Sequence, residues 1–171
     1  MLSAFPLDIK WLKVSLGSIN SGNPTKGNYA IVSSFLPEIE IWNLDLTEAI
    51  QPDLILGGEV ELKKKKPKKF TNQPKKFKPG SHTDSVTTLS LNHSNLSVLA
   101  SGSVDSTVKI WDISKDVCVH TCSHHTADVK KVEWSSLDVS VIFSAGGDGK
   151  ISVLDSRYPE DQIVHTIPQG E

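Results

Sequence analysis

Cysteine is scarce in this sequence of 171 residues, which contains only Cys118 and Cys122. If both lie on one strand, their Cα atoms are about 13 Å apart at about 3.3 Å per residue, which is too far for a disulfide. A chain that cannot rely on a disulfide framework favours a reducing intracellular compartment.

Long apolar runs are also missing. Nowhere do about 18 apolar residues occur together, as a membrane-spanning helix requires. The chain does not begin with a basic stretch followed by a long apolar run, as a signal peptide does. With 37% hydrophobic residues, the sequence predicts a soluble globular protein with one ordinary core and no membrane partner.

Several motifs of hydrolytic and nucleotide-binding enzymes are absent. The sequence has no G-x-S-x-G nucleophile elbow, no G-x-G-x-x-G opening a helix and no G-K-[ST]. The stretch GGDG at Gly146 to Gly149 fits a hairpin turn better than a phosphate cradle, because glycine permits the positive φ of a tight turn. We therefore expect no enzymatic activity and no cofactor.

An internal repeat is the strongest pattern that is present. Residues Leu99 to Asp112, LASGSVDSTVKIWD, read as a β-hairpin with an apolar run, a polar turn and an alternating strand. A shift of 43 residues reproduces this pattern without a gap. The shift pairs His82 with His125, Val86 with Val129, Leu91 with Trp134, Ser101 with Ser144, Asp105 with Asp148 and Asp112 with Asp155.

This period, with His near its start and Trp-Asp near its end, resembles the WD40 repeat, in which each unit is one four-stranded blade of a β-propeller. The resemblance implies an all-β fold with about three four-stranded antiparallel blades of an incomplete propeller. We place a divergent first blade at 1–56, a lysine-rich disordered insertion at 57–80, the second blade at 81–124, and the third blade with the start of a following unit at 125–171.

The first blade lacks the polar residues of the repeat. Its tryptophans align Trp11 with Leu91 and Trp134, at the end of an inner strand, and Trp42 with Trp111. Val32 then takes the place of Ser101. We therefore expect apolar packing alone to hold this blade.

His82, Ser101 and Asp105 have the residue types of a hydrolase triad. The WD40 resemblance implies another role, a buried structural tetrad of His, Ser, Asp and Trp. Its members are His82, Ser101, Asp105 and Trp111 in the second blade, and His125, Ser144 and Asp148 in the third. The presence of two near-copies of this set favours a structural role, because a catalytic site is normally needed only once. Leu154 replaces the tryptophan of the third blade, so we expect a shorter and weaker network there.

Thiol and imidazole groups are dense near the end of the second blade, at Cys118, His120, Cys122, His124 and His125. On one strand the first three would lie about 6.6 Å apart, whereas the ligands of one tetrahedral Zn²⁺ lie within about 4 Å of each other. The sequence therefore predicts no metal site.

Positive charge is concentrated in one segment. Nine of the 18 basic residues lie between Lys63 and Lys78 with no acidic residue among them, whereas the rest of the chain has nine basic residues against 20 acidic ones. We call these nine lysines the basic arm: Lys63, Lys64, Lys65, Lys66, Lys68, Lys69, Lys75, Lys76 and Lys78. Charge repulsion and three prolines oppose helix and ladder there, so we expect a mobile loop. The pattern indicates nuclear import, and contact with RNA as a second use.

Four local features resemble the periodic tryptophan protein family of WD40 proteins: the early Trp11 unit, EIEIWNLDL at Glu38 to Leu46, the lysine run after it, and H-T-D-x-V at His82 to Val86. The resemblance implies a non-catalytic scaffold of the nucleus and nucleolus, which serves ribosome biogenesis, large-subunit assembly and rRNA processing. Its partners would be ribosome assembly factors, bound through protein–protein interaction. The alternative is a chromatin or histone-binding protein, or a ubiquitin-ligase adaptor.

Three blades do not close a propeller, which typically has four to eight. An open set would expose apolar side chains on the outer faces of the first and third blades, and we expect Ile39, Ile41, Val141 and Ile151 among them. A large exposed apolar patch is rare on a soluble monomer. The sequence is therefore expected to be the N-terminal part of a longer propeller or to self-associate.

Overall fold

The computed structural model describes residues 2, 4–18, 25–60 and 76–157, together with the backbone of 163–168. Twelve strands in these ranges form three antiparallel sheets of four strands each. This confirms the predicted all-β class and the three four-stranded blades. The one helical element of the described residues is a 3₁₀ turn, Leu16–Ser18, and no helix there has the length and apolar character needed to cross a membrane.

Each blade is built from four strands that are consecutive in the chain and adjacent in the sheet. The first blade contains β1 Pro6–Val14, β2 Lys26–Ser34, β3 Glu38–Asn43 and β4 Leu54–Gly57. The second contains β5 Val86–Leu91, β6 Val98–Ser103, β7 Val108–Asp112 and β8 Val117–Cys122. The third contains β9 Val129–Trp134, β10 Val141–Gly146, β11 Lys150–Asp155 and β12 Ile163–Pro168.

The three blades share one strand register. Three cross-strand rows are equivalent, namely Trp11, Ala30 and Trp42; Leu91, Leu99 and Trp111; and Trp134, Ile142 and Leu154. The alignment of the tryptophans made from the sequence therefore agrees with these rows. β1 continues beyond Trp11 to Val14, so Trp11 does not end its strand as expected.

Neighbouring blades meet through apolar side chains. The core of the first joint, between the first and second blades, includes Ile31, Ile39, Ile41, Leu89, Leu99 and Trp111. The core of the second joint, between the second and third blades, includes Ala100, Val108, Ile110, Val132, Trp134, Ile142 and Leu154. In each joint, one face of the later blade packs on the opposite face of the blade before it.

The prediction that Ile39 and Ile41 are exposed is wrong, because both are buried in the first joint. Both faces of the first blade are apolar, so alternation along its strands does not reveal which face the second blade covers. The exposed apolar side chains of this blade include Ile9 and Trp11 instead. In the third blade Ile151 is exposed, as predicted, and Val141 is partly buried.

Hydrogen bonds between inner strands add to each joint. The backbone N–H of Leu89 donates to Asp8 Oδ2 at 2.8 Å, and the backbone N–H of Val132 donates to Thr88 Oγ1 at 3.4 Å. Asp8 Oδ1 also accepts the N–H of Ile9 at 2.8 Å. Asp8 therefore links two blades and also bonds to the backbone of its own strand.

The first blade also contains buried polar contacts, so the prediction that apolar packing alone holds it is wrong. The indole N–H of Trp42 donates to Glu40 Oε2 at 2.8 Å in a buried environment. The hydroxyl of Ser81, which follows this blade, donates to the carbonyl of His82 at 2.7 Å and accepts the N–H of Gly58 at 2.8 Å. Side chains two residues apart on a strand share a face, which brings Glu40 to Trp42.

Candidate functional site

The structure brings together all four residues predicted for the network of the second blade. His82 precedes β5, Ser101 lies in β6, Asp105 lies in the turn after β6, and Trp111 lies in β7. His82 Nε2 lies 2.8 Å from Ser101 Oγ, and His82 Nδ1 lies 3.0 Å from Asp105 Oδ2. The indole N–H of Trp111 donates to Ser101 Oγ at 2.8 Å.

The direction of each bond follows from what each group can donate. A carboxylate only accepts, so His82 carries its proton on Nδ1 and donates it to Asp105. Ser101 then donates to His82 Nε2 and accepts from Trp111. Burial lowers the pKa of His82 and keeps the ring neutral, although the bond to Asp105 opposes that shift.

Asp105 is held by more groups than the sequence predicted. Its Oδ2 accepts the backbone N–H of Thr83 at 2.9 Å. Its Oδ1 accepts both the backbone N–H of Thr107 at 3.0 Å and the Thr107 hydroxyl at 2.6 Å. Burial opposes ionisation of Asp105, but the bonds from His82, Thr107 and Thr83 outweigh it and hold the pKa of this carboxyl well below its usual range. The turn residue Ser106 adopts a φ of 67°, which fits a tight hairpin turn.

The third blade repeats the arrangement with His125, Ser144 and Asp148. His125 Nε2 lies 2.9 Å from Ser144 Oγ, and His125 Nδ1 lies 3.1 Å from Asp148 Oδ1. Burial opposes ionisation of Asp148, but bonds from the N–H of Thr126, the His125 ring and the N–H of Lys150 lower its pKa to about 2. The predicted members of this network are therefore also in contact.

His124 completes the third network, which the sequence analysis missed. Its Nε2 lies 2.9 Å from Ser144 Oγ, in the role that the Trp111 indole has in the second blade. The expectation that Leu154 shortens this chain of bonds is therefore wrong. A second histidine directly before His125 is the signal that could have shown it, but only the folded loop turns that ring toward Ser144.

The two networks have the contacts of a Ser-His-Asp triad but not its accessibility. The side chains of Ser101 and Ser144 are buried. A serine nucleophile has to reach a substrate carbonyl, and each of these hydroxyls already makes bonds within its network. The arrangement can fix a hairpin to the start of its blade, and it offers no reacting group to a substrate.

The cysteine and histidine cluster does not assemble into a metal centre in the described part of the chain, where no three His, Cys, Asp or Glu side chains are placed to hold an ion. Cys118 and Cys122 do not form a disulfide with each other. Cys118 Sγ lies 3.2 Å from the backbone oxygen of His120, and His125 is held in its polar network.

Of the basic arm, the structure describes Lys76 and Lys78. The other seven lie outside the described residues: Lys63, Lys64, Lys65, Lys66, Lys68, Lys69 and Lys75. The ends of the insertion pair as a short ladder, with an antiparallel bridge between Glu59 and Phe77 and a bond from the N–H of Val60 to the carbonyl of Lys76 at 2.7 Å. We did not expect a ladder there; it forms because most of the charge lies between these two ends.

Comparison with known proteins identifies the repeat. The WD40 family (WD domain, G-beta repeat) matches residues 73–112 and 116–155. Periodic tryptophan protein 1 of Saccharomyces cerevisiae is 37% identical over 172 residues, which cover 94% of this chain and 28% of that protein. An uncharacterized WD repeat-containing protein of Schizosaccharomyces pombe is 41% identical over 119 residues, covering 70% of this chain and 22% of that protein.

The periodic tryptophan protein 1 homolog of Drosophila melanogaster is 29% identical over 160 residues, which cover 94% of this chain and 31% of the homolog. The chain thus spans less than a third of the length of each of these relatives. With its two matched repeats and its three four-stranded blades, this chain is a WD40-repeat protein that resembles the periodic tryptophan proteins over almost its whole length.

Proposed function

We propose that this chain is a non-catalytic scaffold of ribosome biogenesis that acts in the nucleus and nucleolus, in large-subunit assembly and rRNA processing. The observation that carries the proposal is the alignment of 94% of the chain with periodic tryptophan protein 1 at 37% identity. The blades supply rigid, packed surfaces for ribosome assembly factors, and the polar networks hold the hairpins that form one end of those surfaces.

The non-catalytic part of the proposal is supported by burial. Ser101 and Ser144, the serines whose hydroxyls bond to a histidine ring in the described residues, are buried. Neither hydroxyl can approach a substrate unless its blade opens, which would also break the His–Asp pair that a triad needs.

The basic arm supports a role near nucleic acid. It carries nine of the 18 basic residues, while the remainder of the chain is acidic in balance. Lysines that meet phosphates release counterions, and each contact to a single strand contributes roughly 0.7 log units of affinity per log unit of salt. We propose that the arm serves nuclear import and also contacts pre-ribosomal RNA.

A pull-down with and without ribonuclease tests the proposed role. The tagged full chain is recovered from nuclear extract, and its sedimentation with large-subunit precursors is measured. We expect co-sedimentation that ribonuclease abolishes. Association with histones or a ubiquitin-ligase core that survives nuclease would instead support the chromatin or adaptor alternative and overturn the ribosomal one.

Replacing Lys63 to Lys69 with Ser and Gly tests the arm separately. We expect unchanged folding, loss of nuclear accumulation, and a flatter dependence of RNA affinity on salt, because the phosphate contacts are gone. The matched control replaces Lys115 and Lys130, which are exposed on the blades, with Ser. Normal localisation and an unchanged salt slope in the arm variant would exclude the arm as the determinant.

A further inference from the structure

Two exposed phenylalanines lie together at one end of the first blade. Phe5 directly precedes β1, and Phe35 lies in the turn between β2 and β3. The pairing of Pro6 with Ser34 brings these two neighbours together, with their ring centroids 6.4 Å apart. Phe5 is 73% exposed and Phe35 is 59% exposed. We call this pair the aromatic platform. Both residues lie outside the strands, whose faces form the joints between blades.

The turn that carries Phe35 is fixed to the second blade. The hydroxyl of Ser85 donates to the carbonyl of Phe35 at 3.0 Å, and the backbone N–H of Val86 donates to the carbonyl of Leu36 at 3.3 Å. Within the turn, the N–H of Leu36 donates to Ser34 Oγ at 3.1 Å. Because the backbone is already ordered, a ligand that packs on the Phe35 ring loses little affinity to ordering of the turn.

The lysine-rich insertion leaves the first blade beside this turn. Gly57, the last residue of β4, pairs with Glu38 at the start of β3. Ser81 Oγ accepts the N–H of Gly58 at 2.8 Å and lies 3.4 Å from the carbonyl oxygen of Pro37. The start of the insertion and the residue that follows it therefore both adjoin the turn that carries the platform.

Positive charge lies at the same end of the blades. Lys76 and Lys78 of the basic arm are exposed. The backbone N–H of Lys78 donates to the carbonyl of Gly58 at 2.9 Å, which holds this part of the arm beside the first blade. The other seven lysines of the arm lie between Val60 and Lys76 in the sequence. Exposed aromatic rings and a concentration of lysine thus occur together.

An acidic side chain beside the platform decides which part of a nucleic acid can lie on it. Asp84 is exposed, and its Oδ1 accepts the N–H of Ser85 at 2.7 Å. The hydroxyl of the same Ser85 binds the carbonyl of Phe35. A carboxylate repels a phosphate but not a neutral base. The rings therefore suit the bases of a strand, and the lysines suit its phosphates.

We propose that the aromatic platform stacks unpaired bases of a single-stranded RNA whose phosphates are bound by the basic arm. Every base has a π-face, so aromatic side chains bind single strands with little sequence preference. Bases that are paired inside a duplex are not free to stack on them. This inference rests on the proposed contact with pre-ribosomal RNA and names the residues that receive its bases.

Phe35→Leu and Phe5→Leu in the full chain test the platform, with fluorescence anisotropy of a labelled single-stranded RNA that has no internal base pairs. Leucine keeps an apolar side chain but removes the π-face, and we expect each variant to bind at least about fivefold more weakly. Phe35→Tyr keeps a ring and should bind as the parent chain does. Phe143→Leu is the matched control, because Phe143 is also exposed, at 42%, but lies in the third blade. The same RNA annealed to its complement should bind the parent chain and the Leu variants equally.

The salt dependence of binding separates the platform from the arm. Loss of stacking removes no phosphate contact, so Phe35→Leu should keep the salt slope of the parent chain, whereas the arm variant flattens it. If the arm variant flattens the slope but both Leu variants bind as tightly as the parent, the platform is overturned and the proposed RNA contact stands. A parent chain that does not bind the single-stranded RNA overturns both.

A protein ligand on the platform is the competing outcome. Circular dichroism should show all variants folded, since the substituted side chains are exposed. The Leu variants are then compared with the parent chain in the pull-down of large-subunit precursors. Leu variants that bind RNA normally but lose an association that survives ribonuclease would show that the platform binds a protein, and the inference would be wrong.

Discussion

At the scale of single residues, the two polar networks differ in how many donors their turn aspartate binds. Asp105 accepts bonds from the His82 ring, the N–H of Thr83, and both the N–H and the hydroxyl of Thr107. Asp148 lacks the hydroxyl donor, because Lys150 stands where Thr107 does in the second blade and contributes only its N–H. The two networks therefore differ at this hydroxyl. Leu154 does not change the number of donors that the turn aspartate binds.

Replacing Asp105 with Ala should lower the free energy of unfolding by about 2–4 kcal/mol, because it leaves the buried His82 ring and the partly buried donors of Thr107 without an acceptor. Asp148→Ala should lower the free energy of unfolding by less, because it leaves one donor fewer without an acceptor. Urea denaturation measures both. Asp53→Ala, at an exposed position, is the control and should change stability by less than about 0.5 kcal/mol. Equal losses for the two network variants would contradict this account.

His124→Phe tests the completed network of the third blade. The substitution keeps an aromatic ring but removes the Nε2 donor to Ser144, and we expect a loss of about 0.5–1.5 kcal/mol in the free energy of unfolding. His93→Phe, at an exposed position, is the control in the same urea experiment. If both variants are as stable as the parent chain, the contact between His124 and Ser144 does not contribute to the fold.

At the scale of elements, strands pack so closely at the second joint that one position in β6 requires glycine. A Cβ on Gly102 would lie 2.5 Å from a methyl carbon of Val129 and 2.9 Å from methyl carbons of Thr88 and Val132. These methyl groups belong to β5 and β9, which are fixed by the core of the joint. Room for a side chain could come only from shifting these methyl groups, two of which belong to the third blade and one to the inner strand of the second blade.

Gly102→Ala should therefore destabilise the chain by about 1–3 kcal/mol, the usual range for overpacking a core. The measurement is the urea midpoint of the full chain. Gly17→Ala is the matched control, because nothing lies within 4 Å of a Cβ there. A Gly102→Ala variant as stable as the parent would show that the methyl groups around this position can shift at little cost.

The strands themselves were predictable from local pattern. The hairpin of β6 and β7, with β5 and β8 on either side, follows alternation, turn residues and the repeat, which are properties of neighbouring residues. The ladder at the ends of the lysine-rich insertion was not predictable, because it pairs Glu59 with Phe77 across a segment whose composition argues against strands. A short stretch of sequence indicates whether it tends to form a strand. It says little about which distant segment that strand pairs with.

At the scale of the whole molecule, acid should lower the free energy of unfolding in two separate pH ranges. Burial lowers the pKa of His82 below its ordinary 6.5, so below about pH 6.5 the unfolded chain binds a proton that the folded chain does not. Stability is then present above that pH and falls below it, by at most about 1.4 kcal/mol per pH unit for one proton. Asp148, with its folded pKa of about 2 against an ordinary 3.8, adds a second loss as the pH falls through that interval.

Urea denaturation at a series of pH values from 8 to 2 measures both stages. A His82→Gln variant should lack the first stage and keep the second, while His93→Gln, at an exposed position, should behave as the parent chain. A free energy of unfolding that stays constant from pH 8 to pH 5 would contradict a neutral, buried His82.

The repeat was predictable from spacing within about 45 residues, and its resemblance to WD40 units implied the three four-stranded blades and both His-Ser-Asp sets. Which faces are buried depends on the tertiary structure. Ile39 and Ile9 have the same apolar character, and only the second blade, by covering one side of the sheet, makes the first a core residue and leaves the second exposed. It also decided the contacts of Asp8 with Leu89 and of His124 with Ser144, because both depend on how rigid blades and loops are placed against each other, and no local pattern encodes that placement.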